Sequence, residues 1–158
     1  MTYGTLAAAD AYHAQRGNAA WAAASSTDRE AALLRASDWL DGYYIHRWPG
    51  SPAAGGDQTR AWPRVEAIDR YGNTLTGIPA RVERAAYEAA LFEVLTPRSL
   101  APRVVQSETK VLTKVGSIQW TPMGKGELAE SLPFLASVEN ILAPIIEDER
   151  GEPALLVV

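Results

Sequence analysis

The sequence predicts a mainly α-helical fold, a small bundle of about four helices with a long tryptophan- and proline-containing loop and an extended, β-like arm. Three observations support this prediction. Apolar residues recur at helical spacing in two long segments. Between these segments glycine and proline interrupt the chain and exclude regular structure. Further on, residues 104–121 alternate with a period of two, which is typical of a strand.

The first helix is predicted over residues 5–15. Thr5 can cap its N-terminus, the residues that follow are mostly good helix formers, and Gly17 can end it. Its apolar stripe is thin, so we expect this helix to lie on a neighbouring element rather than to build a core.

The second helix is predicted to begin at Thr27. Thr27 and Glu30 have the spacing of a capping box, and Asp28 suits the positive N-terminal end of a helix. Its apolar face follows the helical period. The residues on that face are Leu33, Ala36, Leu40 and Tyr44.

Residues 45–77 are predicted to form a long loop because glycine and proline recur in them. Trp48 and Trp62 are the predicted anchors of this loop, since each indole can bury about 200 Å². The residues from Asp69 to Asn73 have the composition of a turn.

The third helix is predicted to start near Pro79 and to end at Thr96, before a proline. A fourth helix is predicted from about Leu132 to Leu142. We assign residues 1–146, including the arm 104–121, to one domain. Residues 147–158 are acidic and then apolar, and an exposed apolar end is unfavourable, so we interpret them as a docking tail.

Composition and charge exclude several classes of function. The chain has no cysteine, so it can form neither disulfides nor thiolate metal sites. No segment approaches about 18 uncharged apolar residues, so we expect no membrane contact, and the N-terminus does not read as a secretory signal. The net charge is −4, yet residues 97–126 hold five basic groups against one acid, and residues 127–158 hold seven acids against one basic group. A globally acidic chain binds nucleic acid poorly, although a local basic strip could still face DNA or an acidic protein.

No catalytic, cofactor or metal site is expected. His13 and His46 have no partner at the spacing of a metal site. Gly124-Lys125-Gly126 lacks the upstream glycine and the following Ser or Thr of a phosphate-binding loop. No nucleophile stands in a recognisable catalytic context. We therefore expect that the protein is not an enzyme and carries no cofactor.

Two binding functions remain open. Lys110 and Lys114 with the nearby Trp120 could form a surface that contacts phosphates and stacks on bases. The alternative is a solvated strand face beside a core tryptophan. Equally, the basic arm could meet the acidic C-terminal third of another subunit, or both could fold back on their own subunit. The residues hypothesised to lie at such interfaces are Trp48, Trp62, Arg64, Lys110, Lys114, Trp120, Leu155 and Leu156.

Several motifs occur in a fixed order along residues 5–145. They are Asp10-Ala11-Tyr12 with Arg16-Gly17-Asn18 and Trp21, Glu30 to Asp41, Gln58 with Trp62-Pro63-Arg64, Ile78-Pro79 before an alanine-rich helix, and Lys114 to Ile118. Together they resemble a family of tailed-bacteriophage and prophage proteins that are often labelled DnaT-like single-stranded DNA-binding proteins. Members of this family are similar to the head–tail connector, or adaptor, proteins that sit below the portal.

The resemblance implies a connector-like helical domain that assembles as a ring, a dodecamer matching the portal. The function predicted on this basis is that of a structural virion protein, a head–tail adaptor that joins the portal protein to head-closure (stopper) or tail proteins. It would surround the DNA channel, touch the DNA non-specifically and lie in the neck of the virion after assembly in the host cytoplasm. The alternative prediction is a single-stranded DNA-binding accessory protein of replication.

Overall fold

The computed structural model of the protein describes residues 1–101, 110–114, 119–122 and 133–147, with the backbone alone in the two middle ranges. Within these ranges the chain is mainly α-helical, which confirms the predicted fold class. The helices are α1 (Leu6–Ala14), α2 (Ala19–Ala23), α3 (Ser26–Tyr43), α4 (Ala80–Leu95) and α5 (Ala136–Leu142). The strands are β1 (Ser51–Pro52), β2 (Arg64–Val65), β3 (Lys110–Lys114) and β4 (Gln119–Pro122). None of the described helices is both long and apolar enough to cross a bilayer.

The helix boundaries agree with the predicted ones except at three places. The helix predicted from about Leu132 begins only at Ala136, and residues 133–135 before it are not helical. Thr5 caps α1 as expected, because its hydroxyl accepts a hydrogen bond from the backbone N–H of Ala8 at 3.2 Å. By contrast, α3 begins one residue earlier than predicted, and its cap is Ser25, whose hydroxyl accepts from the N–H of Asp28 at 3.1 Å. The connector around Trp21 also contains the short helix α2, which the sequence did not predict.

The core lies mainly between α3 and α4. Leu33, Ala36 and Leu40 of α3 are at most 2% exposed, and the buried face of α4 is largely alanine. α5 packs on α4 and is fastened to the end of α3. The phenol of Tyr44 donates to Glu139 at 2.8 Å, and Arg47 pairs with the same carboxylate at 2.7 Å. The described helices therefore share one core.

The long loop is folded onto this core by its tryptophans. Trp48 and Trp62 are 4% and 1% exposed, and their rings meet edge to face with centroids 5.8 Å apart. This burial confirms their predicted role as anchors. β1 and β2 pair antiparallel, and this pairing joins the chain just after Trp48 to the chain just after Trp62. The loop is thus a fixed part of the fold, although little of it is regular.

A second attachment of the loop is polar and converges on Asp41 of α3. Its carboxylate accepts hydrogen bonds from the phenol of Tyr3 and from the backbone N–H of Ala61. Arg60 bridges Asp41 and Asp38, with N–O distances of 3.0 and 2.6 Å. The N-terminus, the helix and the loop therefore meet at one carboxylate.

Glu93 is a buried carboxylate, 1% exposed, near the C-terminal end of α4. It accepts from the side chain of Arg35 at 2.6 Å and from the backbone N–H groups of Arg98 at 2.6 Å and Leu100 at 3.1 Å. A single side chain thereby satisfies the backbone donors that follow the helix and links them to α3.

We expect Glu93→Ala to lower the free energy of unfolding by about 2–5 kcal/mol, because it leaves two backbone N–H groups and a guanidinium without their acceptor. Urea denaturation measures this change. The matched control is Glu30→Ala, because Glu30 is exposed and should contribute within about 0.5 kcal/mol. Equal stability of the two variants would contradict the assignment.

His13 is buried between α1 and α4 and is 1% exposed. Its Nε2 lies 3.1 Å from the carbonyl oxygen of Tyr87, and its Nδ1 lies 2.9 Å from the side-chain amide of Asn18. A neutral ring that donates from Nε2 and accepts at Nδ1 satisfies both contacts. Burial lowers the pKa of His13 below its ordinary value of 6.5, and the Tyr87 carbonyl and Glu88 offset this only in part.

A depressed pKa in the folded state means that the unfolded chain binds the proton more readily. The contribution of His13 to stability is therefore fully present above about pH 6.5 and is lost as the pH falls from there through the folded pKa. We expect the free energy of unfolding to decrease between about pH 7.5 and pH 5.5. Urea denaturation across this range should show a flatter profile for His13→Gln, and identical profiles would contradict the prediction.

Candidate nucleic-acid interface

Five of the ten arginines in residues 1–101 are already paired with acids. Such pairs balance the positive charge locally, so these side chains add little net attraction for a phosphate backbone. The paired arginines in the described part of the chain are Arg16 with Glu88, Arg29 with Asp10, Arg35 with Glu93, Arg47 with Glu139, and Arg60 with Asp38 and Asp41. These five arginines are therefore poor candidates for contacts with a nucleic acid.

The predicted arm contains the antiparallel hairpin of β3 and β4. Its register places Lys110 opposite Pro122, Leu112 opposite Trp120 and Lys114 opposite Gln119, with an irregularity between Leu112 and Lys114. This confirms extended structure at residues 110–114 and 119–122. The rest of the predicted arm, residues 104–109 and 115–118, lies outside the described residues.

The register of the hairpin sets the relative positions of the three residues predicted to bind DNA. Trp120 stands across from Leu112, and the two lysines lie two positions to either side of Leu112 on the same strand. The hairpin backbone therefore brings Lys110, Lys114 and Trp120 into one short two-stranded element. Ammonium groups bind phosphates, and an indole offers a face on which bases stack.

The other predicted interface residues lie within the chain or outside the described ranges. Trp48 and Trp62 are buried in the chain's own core, which leaves little of either ring for a partner. The guanidinium of Arg64 donates to the carbonyl oxygens of Pro49 and Gly50, both at 2.6 Å, and burial lowers its pKa. Leu155 and Leu156 lie outside the described residues. The intersubunit roles assigned to these five residues stay predictions.

No metal site is apparent where side chains are described: nowhere in these ranges do three or more His, Asp or Glu residues gather in a way that could hold an ion. Both ring nitrogens of His13 are taken up by Asn18 and Tyr87, as described above. His46 lies exposed after the end of α3.

The segment from Asp69 to Asn73 was predicted from the sequence only as a turn, with no role at the surface. Residues 68–74 form a small β-turn structure that leaves Tyr71 71% exposed, next to the exposed Arg70. The sequence signal was an aromatic residue beside an arginine inside a turn motif. That signal does not show whether the ring packs on the core, and so only the structure revealed its exposure.

Comparison with known proteins gives one match. A family model described as "Putative DnaT-like ssDNA binding protein" matches residues 2–158. No curated protein and no solved structure matches the chain. The match confirms the DnaT-like part of the resemblance and extends it over the C-terminal tail.

The same match overturns the predicted function. A head–tail adaptor in the virion was the main prediction, and it is wrong, because the matching family is one of single-stranded DNA-binding proteins. Nothing supports a ring, a portal partner or a tail partner. The ordered motifs were sufficient to find the family, but such motifs reflect a shared fold, and a fold does not specify what it binds. Since the match spans residues 2–158, the chain belongs to the family of putative DnaT-like ssDNA-binding proteins.

Proposed function

We propose that this protein binds single-stranded DNA through the β3–β4 hairpin and serves as a non-enzymatic accessory protein of DNA replication. The observation that carries the proposal is the hairpin register, which places Trp120 opposite the residue between Lys110 and Lys114. The family to which the chain belongs supports the same class of ligand.

The distribution of charge favours the hairpin over the helices. The basic groups of residues 97–126 outnumber the acids five to one, and both hairpin lysines belong to this segment. By contrast, half of the arginines in residues 1–101 are paired with carboxylates, as described above. Phosphate contacts by cations dominate the affinity of proteins for nucleic acid, so the net basic segment that contains the hairpin is a favourable place for binding.

An aromatic side chain favours a single strand over a duplex. A base in a duplex is stacked on both faces, whereas an unpaired base can stack on an indole. Because such stacking depends little on base identity, the binding should tolerate many sequences. Contacts between lysine and phosphate release counterions from the DNA, so binding should weaken as the salt concentration rises.

We expect Lys110→Glu and Lys114→Glu each to weaken binding of a labelled oligo(dT), because each replaces a phosphate contact by a repulsion. Neutralising one contact also lowers the slope of log affinity against log salt by about 0.7 for a single strand, which Lys110→Ala and Lys114→Ala test. Fluorescence anisotropy over a range of salt concentrations measures both quantities.

The matched control is Arg84→Glu, which makes the same change in net charge. Arg84 is exposed on α4 and forms no hydrogen bond or ion pair within the described part of the chain. Weakening by Arg84→Glu as large as that by the lysine variants would indicate general repulsion rather than a site. Absence of binding by the wild-type protein even at low salt would refute the proposal.

Trp120→Ala should weaken binding by about 1–3 kcal/mol, the usual effect of removing one stacked base–aromatic contact. Trp120→Phe should retain much of the affinity, because it keeps an aromatic face. Anisotropy titrations at fixed salt measure the effect, and circular dichroism checks that each variant keeps its helices. Unchanged affinity of a folded Trp120→Ala protein would exclude Trp120 from the site.

A further inference from the structure

The turn at residues 68–74 is built to hold one shape. Ile68 and Thr74 form an isolated antiparallel bridge. Between them the carboxylate of Asp69 accepts hydrogen bonds from the backbone N–H groups of Tyr71 at 2.9 Å and Asn73 at 2.8 Å, and from the side-chain amide of Asn73 at 3.0 Å. These contacts fix the backbone of the turn tip without any help from the side chain of Tyr71.

The turn is also tied to the body of the protein at both ends. The backbone N–H of Arg70 donates to the carbonyl oxygen of Pro144, just after α5, at 3.0 Å. The N–H of Leu75 donates to the carbonyl oxygen of Ala67, a fully buried residue, at 2.8 Å. The turn tip is therefore a positioned part of the surface. A binding group held in this way loses little conformational entropy when a ligand arrives.

The side chains of Tyr71 and Arg70 project from this turn towards solvent. Tyr71 is 71% exposed, and within the described ranges its ring has no aromatic or cation–π partner and its hydroxyl forms no hydrogen bond. Arg70 is exposed and forms no ion pair in the described ranges. Isolated exposed tyrosines are common on protein surfaces, but here the ring stands beside a cation that no described acid neutralises.

The charges around the turn favour an anionic ligand. Arg81 lies at the start of α4, is exposed, and is near enough to Asp69 that its charge lowers the pKa of that carboxyl, after the larger effect of the hydrogen bonds from Asn73. The Asp69 carboxylate is engaged by the donors of the turn itself. The turn thus combines an exposed aromatic ring with an exposed arginine next to it in the chain, and a second arginine lies near Asp69. Aromatic rings and cations are the groups with which proteins hold an unpaired base and a neighbouring phosphate.

We propose that the turn at residues 68–74 is a second contact for the same single strand, with Tyr71 stacking on a base and Arg70 binding an adjacent phosphate. This inference rests on the proposed function, because it assumes that single-stranded DNA is the ligand. It adds a stacking position on the helical body that is distinct from the hairpin.

The test is the affinity of the full chain for a labelled oligo(dT) of about 20 nucleotides, long enough to reach more than one contact. Tyr71→Ala should weaken binding roughly fivefold or more, and Tyr71→Phe should bind like the wild-type protein, because stacking needs the ring and not the hydroxyl. Arg70→Ala should lower the slope of log affinity against log salt by about 0.7. These variants keep every hydrogen bond of the turn, since those bonds use the backbone and the side chains of Asp69 and Asn73.

The matched control is Phe134→Ala, which removes another exposed aromatic ring, 64% exposed, just before α5. It should leave the affinity unchanged. If the wild-type protein binds oligo(dT) and both Tyr71→Ala and Arg70→Ala bind it equally well, the inference is wrong while the proposed function stands, and the turn is then better explained as a protein-docking surface. If the wild-type protein does not bind oligo(dT) at all, both proposals fail. Equal losses in Phe134→Ala and Tyr71→Ala would also overturn the inference.

Discussion

The apolar faces of α3 and α4 are buried against each other, and every other described part of the helical body is positioned by that contact. Leucine, alanine and tryptophan side chains of α3 meet a face of α4 that is built largely of fully buried alanines. α1, α2 and α5 all pack on α4, and the loop closes over the end of α3. Burial of apolar surface is the dominant favourable contribution to folding, so the remaining elements depend on this pair.

Polar groups then determine how the loop and the segments that follow the helices are attached to the core. Asp41, Glu93 and Glu139 are carboxylates on three different helices, and each accepts a hydrogen bond from a residue at least 20 positions away in the sequence. A partly or fully buried carboxylate needs such donors, because an unpaired one would be costly to desolvate. Asp41 therefore attaches the loop, Glu93 attaches the segment after α4, and Glu139 of α5 attaches the end of α3.

This use of charge explains why the proposed DNA contacts lie where they do. Half of the arginines in residues 1–101 form ion pairs with carboxylates, and their positive charge is balanced within the fold. At the turn of residues 68–74, Arg70 forms no ion pair with a described carboxylate. The net basic segment, residues 97–126, contains the hairpin. An acidic protein can bind a nucleic acid when its positive charge is concentrated in a few places and combined with aromatic faces.

The sequence determined the local structure: the helical periods of α3 and α4, the Thr5 cap, the turn at Asp69 and the extended character of the arm all follow from interactions between residues close in the chain. It also placed the chain in its family, although the function inferred from that resemblance was wrong. Only the tertiary structure decided that Trp48 and Trp62 lie in the chain's own core rather than at an interface with a partner, that Tyr71 faces outward, and that Arg64 holds the loop together. The reason is physical: burial and long-range hydrogen bonds depend on which distant residues meet, and neither periodicity nor composition records that.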